Sequence, residues 1–156
     1  MQPCGIENGD IDRWSCEGEI GADTMAIFYA HAGLMVGGFL LMATGVTAAM
    51  FFRKKRWWLK LHRLAGVAGT CAFFLGVAMA FLMVAQAGEA HLKMPHAWLG
   101  TAVFLLAVVT PGLGQLQFRW KEKAQKIRAL HRWSGRLTLA AAALNIFSGL
   151  WLAGIL

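Results

Sequence analysis

The sequence predicts an all-α membrane protein: an up-down bundle of four transmembrane helices with both chain ends on the outer side. Three observations carry that expectation. The 156-residue chain is 58% hydrophobic and only 15% charged, where a soluble domain usually carries about 25% charged residues. The apolar residues gather into four runs, at roughly 25–52, 64–86, 97–118 and 137–156. Each run has about 20 residues or more, enough to cross a hydrocarbon core of about 30 Å as a helix. Finally, 13 of the 15 Lys and Arg residues lie in two loops between the runs.

The chain opens with an acidic segment, residues 1–24, carrying Glu7, Asp10, Asp12, Glu17, Glu19 and Asp23 against one base, Arg13. It lacks the basic start and apolar stretch of a cleavable signal peptide, and reads as an outer tail before a membrane domain at 25–156. Cys4 and Cys16 lie where a disulfide can persist; pairing, a partner contact and no role all stay open. The loop after the first run reads "RKKRWWLKLHR", and the one after the third reads "RWKEKAQKIRALHRWSGR". The positive-inside rule places both in the cytoplasm. Their bases sit within reach of helix ends, which argues against a nucleic-acid surface. Cys71, inside the second run, reads as packing. Pro95 precedes the third run, where a missing N–H costs nothing, and Pro111 inside that run predicts a kink. Trp57, Trp58, Trp98, Trp120 and Trp133 near run ends suit an aromatic belt, and the many Gly and Ala residues permit close helix approach in lipid.

Five histidines occur. His91 falls in the outer loop and has no assigned role. The other four, His31, His62, His96 and His131, fall one per helix, near its amino end. Because alternate helices run in opposite directions, His31 and His96 belong near the outer face, and His62 and His131 near the cytoplasmic face. Three are followed at the fourth position by glycine: "HRLAG" (Gly66), "HAWLG" (Gly100) and "HRWSG" (Gly135). Positions i and i+4 share a helix face, so each glycine leaves room for a flat macrocycle. His31 departs from this, with Met35 at the fourth position.

Imidazoles from two helices, one on each side of an iron, hold haem in a bundle. An ionisable residue within a membrane is a functional candidate by default. The pattern points to two haem groups, with axial pairs His31–His96 and His62–His131. The competing reading is four interfacial histidines bonded to carbonyls or headgroups; their recurrence, one per helix with three HxxxG repeats, favours ligation. A zinc or copper site needs ligands converging on one point, which two pairs at opposite faces do not provide. Arg63 and Arg132 directly follow His62 and His131. They suit haem propionates and suit positive-inside anchoring equally. Lys93 is the obvious base for propionates on the outer side.

The stretches "HAGLMVGGFLLMATGV", "RWWLKLHRLAGVAG", "HAWLGTAVFLLAVVTPGLG" and "ALHRWSGRLTL" resemble the transmembrane cytochrome b561 family, particularly the core found beside DOMON domains. The resemblance covers about residues 28–156. It implies two haem b groups, one on the first and third core histidines (His31, His96) and one on the second and fourth (His62, His131). It also implies electron transfer across the membrane, often from cytoplasmic ascorbate to monodehydroascorbate or ferric iron outside. Typical members have additional flanking helices, and no DOMON domain appears here. Lys55 and Lys60 lie where lysines accompany ascorbate in some relatives, a place that a basic loop fills anyway.

The expected function is therefore an electron conduit between a donor and an acceptor on opposite membrane faces, with quinol, ascorbate or a cytochrome as partners. Membrane lipid is its solvent, nucleic acid is not expected, and partner subunits or a homodimer stay open. No acid–base or nucleophilic constellation appears, since Glu89 and Glu122 fall in loops; enzymatic activity stays open as ferric- or monodehydroascorbate-reductase-like transfer. The expected location is a bacterial inner membrane, multi-pass, with the amino terminus extracytoplasmic. Two other readings remain: a haem b subunit of a larger quinone-linked complex, and a membrane interaction protein without haem.

Overall fold

Helix formation follows the apolar runs and outlasts most of them. The computed structural model describes residues 13–88 and 90–155, with side chains from Thr24 onward. Four helices follow in order: α1 (Arg13–Phe51), α2 (Trp58–Gln86), α3 (Pro95–Arg119) and α4 (Ala124–Leu152), with one 3-10 turn at Lys121–Lys123. All four are long and apolar enough to cross a membrane, and no strand occurs among the described residues. Helix α1 begins inside the segment read as tail, and α4 inside the second basic loop. Extending a helix is cheap beside nucleating one, and the Ala, Lys, Gln and Arg residues that open α4 are good helix formers. His31 thus lies well inside α1, although near the start of its apolar span, Thr24–Phe51. The Cys4–Cys16 pairing lies outside the described residues, as does Glu89.

The bundle is two hairpins. Helix α1 packs along α2 and α3 along α4, while the hairpins touch each other sparsely. Apolar lipid offers helices little hydrophobic drive to associate, so close backbone approach between small residues does the work. The α1–α2 seam follows that rule. Gly38, Met42, Gly45 and Ala48 are buried against Ala65, Gly69, Phe73 and Gly76. A Cβ on Gly69 would stand 2.5 Å from Met42 Cγ and 2.8 Å from the Gly38 carbonyl oxygen. Cys71 lies off this stripe and is exposed on the outside of α2, not packed in the interior as the apolar run suggested. The hairpins share one central layer, Met42, Phe73, Val103 and Ala142, one residue from each helix.

Outward-facing Phe74, Leu105, Leu137, Leu144 and Phe147 are each more than half exposed, a surface suited to hydrocarbon. Trp57, Trp98, Trp120, Trp133 and Trp151 are exposed near helix ends. Trp58 instead turns inward, its ring 6.4 Å from that of His62.

Pro111 sits inside α3, whose helical run stays continuous around it. Proline has no N–H, so the carbonyl of Ala107 four residues earlier loses its helical donor. The Thr70 hydroxyl of α2 lies 3.2 Å from that carbonyl and 2.9 Å from the Gly66 carbonyl of its own helix. A backbone group freed within a membrane span is thereby met from the neighbouring hairpin.

Replacing Gly69 by Ala forces the α1–α2 seam apart and is expected to cost about 1–3 kcal/mol, as overpacking does. Gly66→Ala, whose Cβ meets nothing within 4 Å, leaves the melting point unchanged. Thermal unfolding in detergent, followed by circular dichroism, checks the pair; equal melting of both variants would refute the tight seam.

Candidate functional site

Each of the four helix histidines is held through the same ring atom. His31 Nδ1 lies 2.8 Å from the Gly76 carbonyl, and His62 Nδ1 lies 2.9 Å from the Gly45 carbonyl. His131 Nδ1 lies 2.9 Å from the Thr110 carbonyl. His96 differs, with Nδ1 3.0 Å from Ser148 Oγ, which in turn donates to the Asn145 carbonyl at 2.9 Å. An Nδ1–H donating to oxygen fixes the tautomer and turns Nε2 into the ring's lone-pair nitrogen, the arrangement found behind metal-ligating histidines.

The two α1–α2 bonds, and the ring contacts of the α3–α4 hairpin, follow from a register that is written twice in each hairpin. On α1, His31, Gly38 and Gly45 are spaced by seven residues, and on α2, His62, Gly69 and Gly76 repeat the same spacing. The helices run antiparallel, so each histidine meets the far glycine of its neighbour and the two middle glycines meet each other. On α3 and α4 the step from His96 to Gly114 equals that from His131 to Gly149, 18 residues in both. A Cβ on Gly149 would stand 2.8 Å from His96 Cε1, and one on Gly114 would stand 3.1 Å from His131 Cε1. The glycine that admits each ring therefore lies on the partner helix. The constant spacing on neighbouring helices was a legible signal that the HxxxG reading passed over.

The rings border two cavities separated by the central layer. His31 and His96 line a cavity of about 250 Å³, together with Met35, Met83, Met94, Phe73 and Asn145. His62 and His131 line one of about 500 Å³ at the other end. By helical rise, the two histidine levels are about 21 Å apart along α1 and about 27 Å along α3. Arg63, Arg132, Gly66 and Gly135 line the larger cavity, joined by Arg53, Arg128 and Arg136, which the sequence reading did not single out. Arg63 lies over the Phe118 ring at 4.8 Å and Arg136 over Trp133 at 5.5 Å. Gly100 does not line the smaller cavity, because its open side is taken by Asn145 Nδ2, 3.1 Å from where a Cβ would stand. Lys93 is also absent from that lining. Met35, at the position where the other histidines have glycine, packs against Gly76. His91 stays outside both cavities and rests beside Phe81, ring centroids 5.0 Å apart.

The donor set suits haem. The His62 and His131 rings stand 5.8 Å apart between centroids, close to the span of two imidazoles sharing one first-row metal, with nitrogen–metal bonds of about 2.0–2.1 Å each. A Cβ on Gly66 would enter open space in the cavity that His62 also lines. Among the described residues no three His, Cys, Asp or Glu side chains gather as a metal site. The smaller cavity falls below the usual ligand range of about 300–1,000 Å³. Three of its walls are methionines, whose flexible chains yield readily. Asn145 is 8% exposed there, and its Oδ1 has no hydrogen-bond partner.

The family model for eukaryotic cytochrome b561 matches residues 30–154. No curated protein and no solved structure matches the chain.

Ser148→Ala removes the acceptor of His96 alone. Loss of such a supporting partner typically costs 10–100-fold in affinity for the group that the histidine ligates. Haem titration into the apo-protein is expected to show one weakened site, restored by Ser148→Thr; two unchanged affinities would count against the relay.

Proposed function

This chain belongs to the cytochrome b561 family, and we propose that it carries electrons through two haem b groups, one between His31 and His96 and one between His62 and His131. Transmembrane electron transfer by haem b is the activity of that family, and the chain is an integral, multi-pass membrane protein. The observation that carries the two-site reading is the Nδ1 bonding of all four histidines. It prepares one nitrogen of each ring for coordination, and the lining of the two cavities supports pairing His31 with His96 and His62 with His131. Interfacial histidines bonded to carbonyls account for three of these bonds as well; what favours ligation beyond them is that the four rings line two cavities, two rings in each.

Bound haem supplies the one-electron iron couple. The protein does the rest. The histidines would hold the macrocycle between the hairpins, Gly66 and Gly135 would leave it room, and Arg63 and Arg132 would offer guanidinium groups to its propionates. The layer of Met42, Phe73, Val103 and Ala142 keeps water out of the space between the two sites. By the positive-inside rule the arginine-rich end faces the cytoplasm and the amino terminus lies outside. That end attracts a small anionic reductant, the class to which ascorbate belongs. Lys55 and Lys60 are exposed outside the cavity lining, so arginine meets the anion nearest the ring edge.

Purified protein in detergent is expected to bind two haem b per chain by pyridine haemochrome assay, with His31→Ala and His62→Ala each losing one. A preparation that stays colourless with added haem sinks the proposal. Gly66→Leu fills the open space beside Gly66 and is expected to lose one haem while the helical circular dichroism is kept; full haem content in that variant would show that this space is not the haem's place.

A further inference from the structure

Arg136 is the deepest base on α4. Beyond it the helix runs from Leu137 to Leu152 without a charged residue, a length of about 24 Å by helical rise. That is close to, but short of, a hydrocarbon core of about 30 Å, so the Arg136 backbone falls at the edge of the apolar layer. Its guanidinium lies over the Trp133 ring, 5.5 Å from the centroid. Trp133 stands three residues earlier, toward the basic loop. The side chain therefore runs back toward the polar boundary, as long cationic chains do at membrane interfaces.

The place where this guanidinium is held sets it apart from Arg63, which lies over Phe118, itself part of the larger cavity's lining. Arg136 reaches that lining too, but Trp133 does not, and the Trp133 ring is 68% exposed. Lys126, Leu130, Trp133 and Leu137 follow one another at steps of four, three and four, which share a helix face, and all four are exposed. From the loop inward this face carries an ammonium group, an aliphatic chain, an indole capped by a guanidinium, and again an aliphatic chain. A guanidinium grips phosphate through two parallel hydrogen bonds, and the indole beneath it adds a cation–π contact. The two basic loops bring 13 Lys and Arg to this end against one acidic residue, Glu122. A headgroup with its own ammonium adds a cation to that field, so a lipid of net negative charge is favoured.

We propose that Arg136 and Trp133, with Lys126 above them, hold the phosphate of an anionic phospholipid on the lipid-facing side of α4, its acyl chains lying along Leu137 and Leu144. The site needs no haem and stands apart from the two-haem reading.

The test compares spin-labelled phosphatidylglycerol with spin-labelled phosphatidylcholine, by electron paramagnetic resonance, in vesicles that hold the haem-loaded protein. The immobilised fraction is expected to prefer phosphatidylglycerol by about fivefold, the effect of one base beside an anionic headgroup. Arg136→Gln loses most of that preference. Arg56→Gln, which removes the same charge from an exposed loop position outside the cavity lining, keeps it. Trp133→Leu retains every charge and loses part of the preference, which decides the matter even where Arg136→Gln folds poorly. No preference in the wild-type chain, an equal loss in both arginine variants, or full preference in Trp133→Leu overturns the site. Displacement of the labelled lipid by millimolar inorganic phosphate makes it a soluble-anion site and overturns the lipid reading. Loss of one haem from Arg136→Gln puts the guanidinium on a propionate and overturns it as well.

Discussion

A ring nitrogen placed in hydrocarbon must find an oxygen, and the only abundant oxygens there are backbone carbonyls already engaged in their own helices. That constraint shapes this bundle. A carbonyl has a second lone pair to offer, but a side chain from a neighbouring helix reaches it only where two backbones come unusually close. Glycine makes such approach affordable. The pairs His31–Gly76 and His62–Gly45 are thus one device with the close α1–α2 seam: the hydrogen bond needs the proximity, and the proximity needs the missing side chain. The α3–α4 hairpin solves the same problem with Thr110 and Ser148 as acceptors, and with glycine against the ring faces.

The strength within each hairpin contrasts with the sparse contact between hairpins. A bundle packed equally on all sides would have no room for a planar guest. Here the guest space lies along the weaker joint, pinned at its centre by Met42, Phe73, Val103 and Ala142 and tied by Thr70 to the carbonyl that Pro111 frees.

Much of this was legible in the sequence, because length and hydropathy alone decide what crosses a bilayer. The four helices, their alternation and the division of four histidines between two ends follow from counting residues. What a single helix cannot disclose is the register against its neighbour. The HxxxG reading looked along one helix, where i and i+4 share a face, and so valued Gly100; across the hairpin that face belongs to Asn145. Cys71 failed for the same reason, since an apolar run does not say which stripe turns inward. Arg53, Arg128 and Arg136 were hidden among thirteen loop bases that all had a topological explanation already. Ser148 and Asn145 carry no periodic signal; only the fold brings them to His96.

The doubled spacing has a further meaning. A helix that carries His, Gly and Gly at steps of seven is its own antiparallel complement: two identical copies, one inverted, would reproduce every imidazole–carbonyl bond of the α1–α2 hairpin. The hairpin thus encodes one instruction and reads it in both directions, as a palindrome does. Such a segment needs no second sequence to recognise, only a second orientation in the bilayer.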